Sequence, residues 1–220
     1  MKTLTFAAAA FATIAVTGGA ILAGPALFAQ GAQQLPGAQD ASRVTAGNYA
    51  LDAEHTLIKW KVDHFGFNDY FGLFGQITGT MQLDPANVEA TRLDITVPVA
   101  DVTVASEGLK EHLLRPGENG GSPDFFGPSP EPARFVSTRV ERTGDMTANV
   151  TGNLTLNGRT APVTLAVEFS GAGANPMSEK QTVGFHARGV MDRSQWGIDY
   201  AAPLVSREVE LTISAAFERQ

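Results

Sequence analysis

The sequence predicts an all-β domain: an antiparallel β-barrel of about eight strands with one short capping helix. Three observations carry that prediction. From Tyr49 onward apolar and polar residues alternate with little interruption, and helical periodicity is nearly absent. The dipeptide Asn157-Gly158 lies between two such runs and supplies the positive φ angles of a type I′ hairpin turn. Many runs approach ten residues, about twice the usual strand length. Long one-sided antiparallel strands must stack as two sheets or close into a barrel.

Strands are expected near residues 55–65, 73–83, 91–104, 133–142, 146–156, 159–170, 181–192 and 205–217. In the first, Ile58, Trp60 and Val62 share a face opposite Lys59, Lys61 and Asp63, and the period carries His64 onto the apolar side. The second and third place Ile77, Met81 and Leu83, then Leu93, Ile95, Val97 and Val99, on one side. A two-residue turn at Asn157-Gly158 sets Leu156 opposite Arg159 and Leu154 opposite Ala161. Gly152–Val163, Val150–Leu165 and Ala148–Val167 follow on the same face, and a one-residue slip would destroy this segregation. In the last two strands Val183, Phe185 and Ala187, then Val209, Leu211, Ile213, Ala215 and Phe217, keep to one side. A barrel of this size holds its own side chains or one small ligand. Gly79, Ala148, Gly152, Ala187, Gly189 and Ala215 on the inner faces favour open space, although strand glycines also mark bends.

One region breaks the pattern. Ser106 is placed to cap a short helix through Leu114, which Pro116-Gly117 ends. Pro116 to Pro132 holds five prolines and four glycines and reads as a loop. Phe125-Phe126 within it is too apolar for water. It is either a plug that anchors the loop or a lid over a cavity mouth.

The chain opens with Lys2, an uncharged apolar stretch from Thr3 to Ala29, and small residues at Ala26, Ala29 and Gly31. That is the layout of a secretory signal, with an uncleaved membrane anchor as the alternative. The expected organisation is a signal peptide over 1–29, a flexible leader over 30–46 and one domain over 47–220, located in the periplasm. With no Cys in the chain there are no disulfides and no lipoprotein attachment. The net charge of −7, one unit more negative without Lys2, disfavours nucleic acid and anionic membrane surfaces.

A catalytic set is missing from the pattern. The four histidines, His55, His64, His112 and His186, show no metal-ligand spacing. There is no G-x-S-x-G elbow, phosphate loop or dinucleotide fingerprint. Asp52, Glu54 and His55 read as a solvated edge or a cap. Asp192, Arg193 and Ser194 read as a structural salt bridge where the chain turns. The expectation is a non-enzyme without catalytic residues, metal or cofactor.

The residues also carry a family pattern. It begins Leu51-Asp52-x-x-His55-Thr56-x-Ile58-x-Trp60-x-Val62-x-His64-x-Gly66, then Gly72-x-Phe74, Gly79 and Asp84-Pro85. It resumes at Glu111-His112-Leu113, Asp124-Phe125-Phe126 and Phe135-x-Ser137. Gly152 to Gly158, with Thr160 and Pro162-Val163, follows; Gly184-Phe185 and Asp192-Arg193-Ser194-x-Trp196-Gly197-Ile198 close it. In order and spacing across the mature chain these resemble the YceI-like family. The resemblance implies an extended, lipocalin-like antiparallel barrel closed by a short helix, with an elongated apolar tunnel for a polyisoprenoid or similar lipid. Members of the family are often dimeric, so the resemblance also points to a homodimer. Thr56 stands where the family has Ser, Lys110-Glu111 replaces Arg-Asp, Pro116 to Gly121 looks inserted, and Trp196 replaces Phe.

The expected ligand-lining residues are Ile58, Trp60, Val62, His64, Ile95, Val97, Phe125, Phe126, Leu154, Val163, Leu165, Phe185 and Trp196. His64 would lie along the tunnel and Phe125-Phe126 near its entrance. The leading expectation is a periplasmic carrier for a long-chain isoprenoid or similar amphiphilic lipid, that lipid being ligand rather than cofactor. Its partners would be the lipid, with a homodimer and a membrane-protein partner left open, and no nucleic acid. Two alternatives stay open: an enzyme or redox accessory acting on a bound isoprenoid quinone, and a filled-barrel interaction module.

Overall fold

In the computed structural model, which describes residues 35–220, one antiparallel sheet closes on itself. The expected signal peptide and the first residues of the leader lie outside the described residues. The strands are β1 Gly47–Leu51, β2 Leu57–His64, β3 Asn68–Phe74, β4 Thr78–Leu83, β5 Arg92–Val97, β6 Ala133–Arg142, β7 Thr147–Leu156, β8 Arg159–Ala174, β9 Gln181–Asp192 and β10 Glu208–Arg219. Among the described residues one α-helix, α1, spans Glu107–Leu114. Neighbours run β1-β4-β5-β6-β7-β8-β9-β10, and β10 returns to pair with β1. The β2–β3 hairpin continues the same edge, because β10 pairs with β2 over Glu210–Ser214 and with β1 over Phe217–Arg219. β1 with β2, and β3 with β4, are therefore two long staves, each interrupted once. The wall is an eight-stave barrel, as the alternation predicts.

The interruptions have local causes. After β1, Asp52 Oδ1 accepts from the N–H groups of Glu54 and His55, an Asx turn that bends the chain. Thr56 is buried there, and its hydroxyl accepts from Ala216 N–H at 3.2 Å. Between β3 and β4 the break falls at Gln76, whose φ is +52°. The strand expected over 91–104 stops at Val97, because Pro98 cannot extend the ladder. A 3-10 turn over Val99–Asp101 follows, and Thr103 rejoins the sheet opposite Leu73.

The hairpin register is the one the Asn157-Gly158 turn dictates, from Leu156 opposite Arg159 to Thr147 opposite Glu168. Asn157 and Gly158 have φ of 50° and 70°. Ser106 caps α1, its Oγ accepting from Leu109 N–H at 3.2 Å. The loop after α1 folds back so that Phe126 and Gly127 N–H both reach the Leu113 carbonyl, satisfying an otherwise orphaned helix end. Asn157 Nδ2 donates to Phe125 O at 2.9 Å, which ties this loop to the end of the barrel where β7 turns into β8.

Two apolar clusters fill the ends. At the α1 end Ile77, Val97, Val99, Trp196 and Ile198 are buried, with Phe125 and Phe126 packed against them. At the opposite end Tyr49, Met81, Phe169, Val183 and Phe217 form the second cluster. The leader expected to stay free through residue 46 is attached in its second half. Ala38 pairs with Ala172 through hydrogen bonds of 3.1 and 2.8 Å, and Gln39 Nε2 donates to Phe169 O. Gly173 makes room for it: a Cβ there would sit 2.0 Å from the Pro36 carbonyl.

The salt bridge expected at Asp192-Arg193-Ser194 does not form. Asp192 instead caps the 3-10 turn Arg193–Trp196 by accepting from Ser194 N–H and Oγ–H, at 2.9 and 2.7 Å. Arg193 is buried and donates to four backbone carbonyls of the following loop.

Candidate ligand-binding site

Between the two end clusters lies a cavity of about 200 Å³. Its wall is built by the two-residue period of the strands: Val150 on β7, Leu165 and Val167 on β8, Ala187 on β9, and Leu211, Ile213 and Ala215 on β10. Among the described residues, Thr56 and Thr91 are its only polar side chains. Thr56 is hydrogen-bonded, whereas Thr91 Oγ1 is buried with no partner among the described residues.

Space arises beside the alanines and not beside the glycines. A Cβ on Gly152 would meet the Phe135 ring at 2.4 Å, one on Gly79 would meet Ile95 Cδ1 at 2.7 Å, and one on Gly189 would meet Leu165 at 2.7 Å. Each inner-face glycine is thus already covered by a large neighbour across the sheet. Ala148, Ala187 and Ala215 face the open volume.

Seven of the expected lining residues stand on this wall: Ile58, Ile95, Val97, Leu154, Val163, Leu165 and Phe185. Six do not. His64 is exposed at the end of β2, paired with Val205 and edge-on to Phe65, so its expected place along a tunnel is corrected. Val62 sits one step before it, opposite Tyr70. The Trp60 indole lies over Gly72, where a Cβ would be 2.1 Å from Cζ2, and its Nε1 is buried without an acceptor among the described residues. Trp196 is 1% exposed and donates from Nε1 to Leu154 O at 2.9 Å, closing the α1 end from beneath. Phe125 and Phe126 also belong to that closure. Phe126 meets Phe74 at a centroid distance of 6.1 Å and Phe125 meets His112 at 5.1 Å, the geometry of a plug.

Sequence reading missed Val88 and Thr91, which approach the cavity from the β4–β5 connection, where no strand period applies. It also missed Phe135 and Val140, which a single parity along β6 cannot both find, because the bulge between Ser137 and Arg139 reverses the period between them. Val150, which the hairpin register sets on the inner face, lines the cavity as well.

A second cavity of about 140 Å³ adjoins the first at the end away from α1. Leu83, Val88, Ala148, Val167 and Phe185 wall both. Its remaining boundary includes Val44, Pro85, Met146 and Phe169, with Arg142, Asp145 and Thr147 of the β6–β7 turn.

Apart from Arg142 and Asp145, which border the second cavity, the paired titratable groups lie outside both cavities. His112 Nε2 and Arg115 Nη2 each contact Asp124 Oδ2, at 2.8 and 2.9 Å, clamping the loop to α1. Arg115 first, and His112 with it, hold the Asp124 carboxyl below its ordinary value; Arg134 does the same for Asp94. A depressed carboxylate stabilises the fold above its unfolded value, about pH 3.9, and that contribution disappears as pH falls through the folded value. Acid should therefore loosen this clamp. Amide exchange at Phe126 and Gly127 is expected to accelerate below about pH 3.9, and in Asp124→Asn to be fast already at neutral pH. Unchanged exchange in that variant would show that the clamp does not hold the loop. His55 is raised by its contact with Asp52 but is exposed on the β1–β2 bend. Among the described residues no three His, Asp or Glu side chains gather as a metal site.

Comparison with known proteins places this geometry. The profile of the YceI-like domain matches residues 49–217. The chain belongs to the YceI-like family. Similar relatives include a UPF0312 protein of Pseudomonas fluorescens, 34% identical over 177 residues, covering 79% of this chain and 88% of the relative. A UPF0312 protein of Pseudomonas putida is 32% identical over 183 residues, covering 82% and 91%. Among solved structures, BcnA of Burkholderia cenocepacia superposes with a TM-score of 0.60 at 20% identity, covering 76% of this chain and 98% of that one. The YCEI protein of Campylobacter jejuni gives 0.60 at 22%, covering 72% and 90%. A polyisoprenoid binding domain from Saccharophagus degradans gives 0.53 at 10%, covering 80% and 100%. These YceI-like and related chains share the barrel. The cavity described above is what this YceI-like chain builds within it.

Proposed function

We propose that this YceI-like protein is a periplasmic carrier that sequesters a long apolar chain: an isoprenoid, an isoprenoid quinone or a related amphiphilic lipid. The observation that carries this reading is the apolar cavity enclosed by the barrel wall. A water needs about 10–15 Å³ by this measure, so the cavity takes on the order of fifteen non-hydrogen atoms. At roughly 0.8 kcal/mol per buried methylene, such a chain gains on the order of 10 kcal/mol. That is comparable to the association and ordering cost of about 4–15 kcal/mol, so a chain that also occupies the second cavity binds more firmly. The fold shared with a polyisoprenoid binding domain and the signal-like N-terminal sequence support the same reading.

The described dyads, His112–Asp124 and His55–Asp52, lie off the cavity wall, and His112–Asp124 is engaged in a structural clamp. The carrier reading is therefore favoured over chemistry on the bound lipid. Mass spectrometry of the native protein, isolated from cells without detergent, tests it. One long-chain lipid per chain is expected. A barrel that is isolated empty and rejects added farnesol would overturn the proposal.

A further inference from the structure

The two adjoining cavities differ in chemistry and in closure. The larger is walled by apolar side chains except for Thr56 and Thr91, and ends, toward α1, against the cluster of Trp196, Val99 and Ile198, which are 1%, 2% and 5% exposed. The smaller reaches the surface region between the β4–β5 connection and the β6–β7 turn, and its boundary carries a cation, a carboxylate and a hydroxyl. Charged side chains thus border the cavities at one end alone, among the described residues.

Two hydrogen-bond donors are available toward that end, Arg142 on the smaller cavity and Thr91 on the larger. Arg142 is folded over its own turn, with Nε donating to Gly144 O at 2.9 Å and Nη2 directed at Asp145. That leaves Nη1 without a partner among the described residues. Thr91 is 6% exposed and stands on the wall of the large cavity, and its N–H is bonded to the carbonyl of Val88, a residue common to both cavities. A buried hydroxyl without a partner costs about 1–3 kcal/mol. A turn about χ1 exchanges its methyl and hydroxyl between staggered positions and presents the hydroxyl to an occupant.

We infer, on the footing of the carrier reading, that the smaller cavity is a head-group chamber. The lipid lies with its apolar tail toward α1. Its head, bearing a hydrogen-bond-accepting oxygen, sits between Arg142 and Thr91. The ligand class is then an amphiphile with an alcohol, carbonyl or phosphate head and not a plain hydrocarbon. The portal lies at the β6–β7 turn, opposite the Phe125-Phe126 plug.

The chain supplies its own reporter of orientation. Its two tryptophans, Trp60 and Trp196, are both toward the α1 end: Trp60 pairs across from the cavity residue Leu211, and Trp196 packs in the α1-end cluster. Two dodecanols serve as probes, one brominated at its two terminal carbons and one on the two carbons beside the alcohol. Occupancy is read by native mass spectrometry. At equal occupancy the tail-brominated probe is expected to quench the tryptophan fluorescence and the head-brominated probe to leave it nearly unchanged. Equal or reversed quenching overturns the orientation while leaving the carrier reading intact. Failure of both probes to occupy the protein overturns the carrier reading, and this inference with it. Arg142→Ala is expected to weaken dodecyl phosphate about tenfold and dodecanol about threefold, and to leave dodecane unchanged. Loss confined to the phosphate assigns an anionic head, and similar loss for both assigns an uncharged one. Unchanged affinities for both headed probes, or an equal loss for dodecane, overturns the head-group assignment.

Discussion

Replacing Ala187 and Ala215 together by leucine is expected to leave a folded barrel that no longer takes up lipid. Both side chains face the cavity, one on β9 and one on β10. The two substitutions add about six non-hydrogen atoms to a space for on the order of fifteen. At roughly 0.8 kcal/mol per displaced methylene, the ligand loses about 5 kcal/mol, more than a thousandfold in Kd. The empty protein gains, because side chains that border a void lose contacts that the new methyl groups restore. About 1 kcal/mol of such gain raises Tm by roughly 2–4 °C for a domain of this size. Ala166, exposed on the outer face of β8, provides the control: Ala166→Leu leaves uptake unchanged. Thermal unfolding and uptake of farnesol, measured side by side, decide the matter. A filled variant that is folded and still binds like the parent would place the lipid outside this cavity.

The barrel and its inner face were legible because each strand repeats a two-residue period that can be counted. Ile95, Val97, Leu154, Val163 and Leu165 needed nothing more to be assigned to the wall. Trp60, Val62 and His64 obey the same parity, yet they do not line the cavity. Parity gives the face of a strand, whereas depth along the barrel depends on where the ends close. The long β2–β3 hairpin runs on past the last pair with β10, at Glu210–Lys61, leaving His64 exposed. The glycines misled for a related reason. Gly152 is covered by Phe135, and that contact depends on the register between β6 and β7, which is offset by a bulge between Ser137 and Arg139. No tight turn signature announces that register, in contrast to Asn157-Gly158. Thr91 and Val88 reach the cavity from a connection with no period at all. Pro98 was a readable signal that the third strand ends early, since proline cannot donate to the ladder.

Arg193→Met is expected to lower the stability of the domain by about 3–5 kcal/mol, the range for stranding partners of a buried charge. Arg193 is 4% exposed, and its guanidinium donates to the carbonyls of Ser206 at 2.9 Å, Ile198 at 3.0 Å, Tyr200 at 2.9 Å and Val205 at 3.0 Å. Burial lowers its pKa, with the nearby Asp199 and Asp192 carboxylates opposing the shift, but a guanidinium remains charged, and the carbonyl dipoles supply its hydrogen bonds. Methionine fills a similar volume and offers no donor, which leaves four carbonyls to find water or move. The affected loop carries Ile198, part of the cluster that shuts the α1 end. Loosening it therefore acts on the ligand as well as the fold, and release of a bound lipid is expected to quicken. Lysine at the same position keeps the charge but not the planar fork, and should recover only part of the loss. Urea unfolding of the three proteins, with proteolysis across residues 197–207, measures both consequences. If Arg193→Met unfolded at the parent's urea midpoint, the four carbonyl contacts would carry no net stability. The closure at this end would then rest on the apolar packing of Trp196 and Ile198.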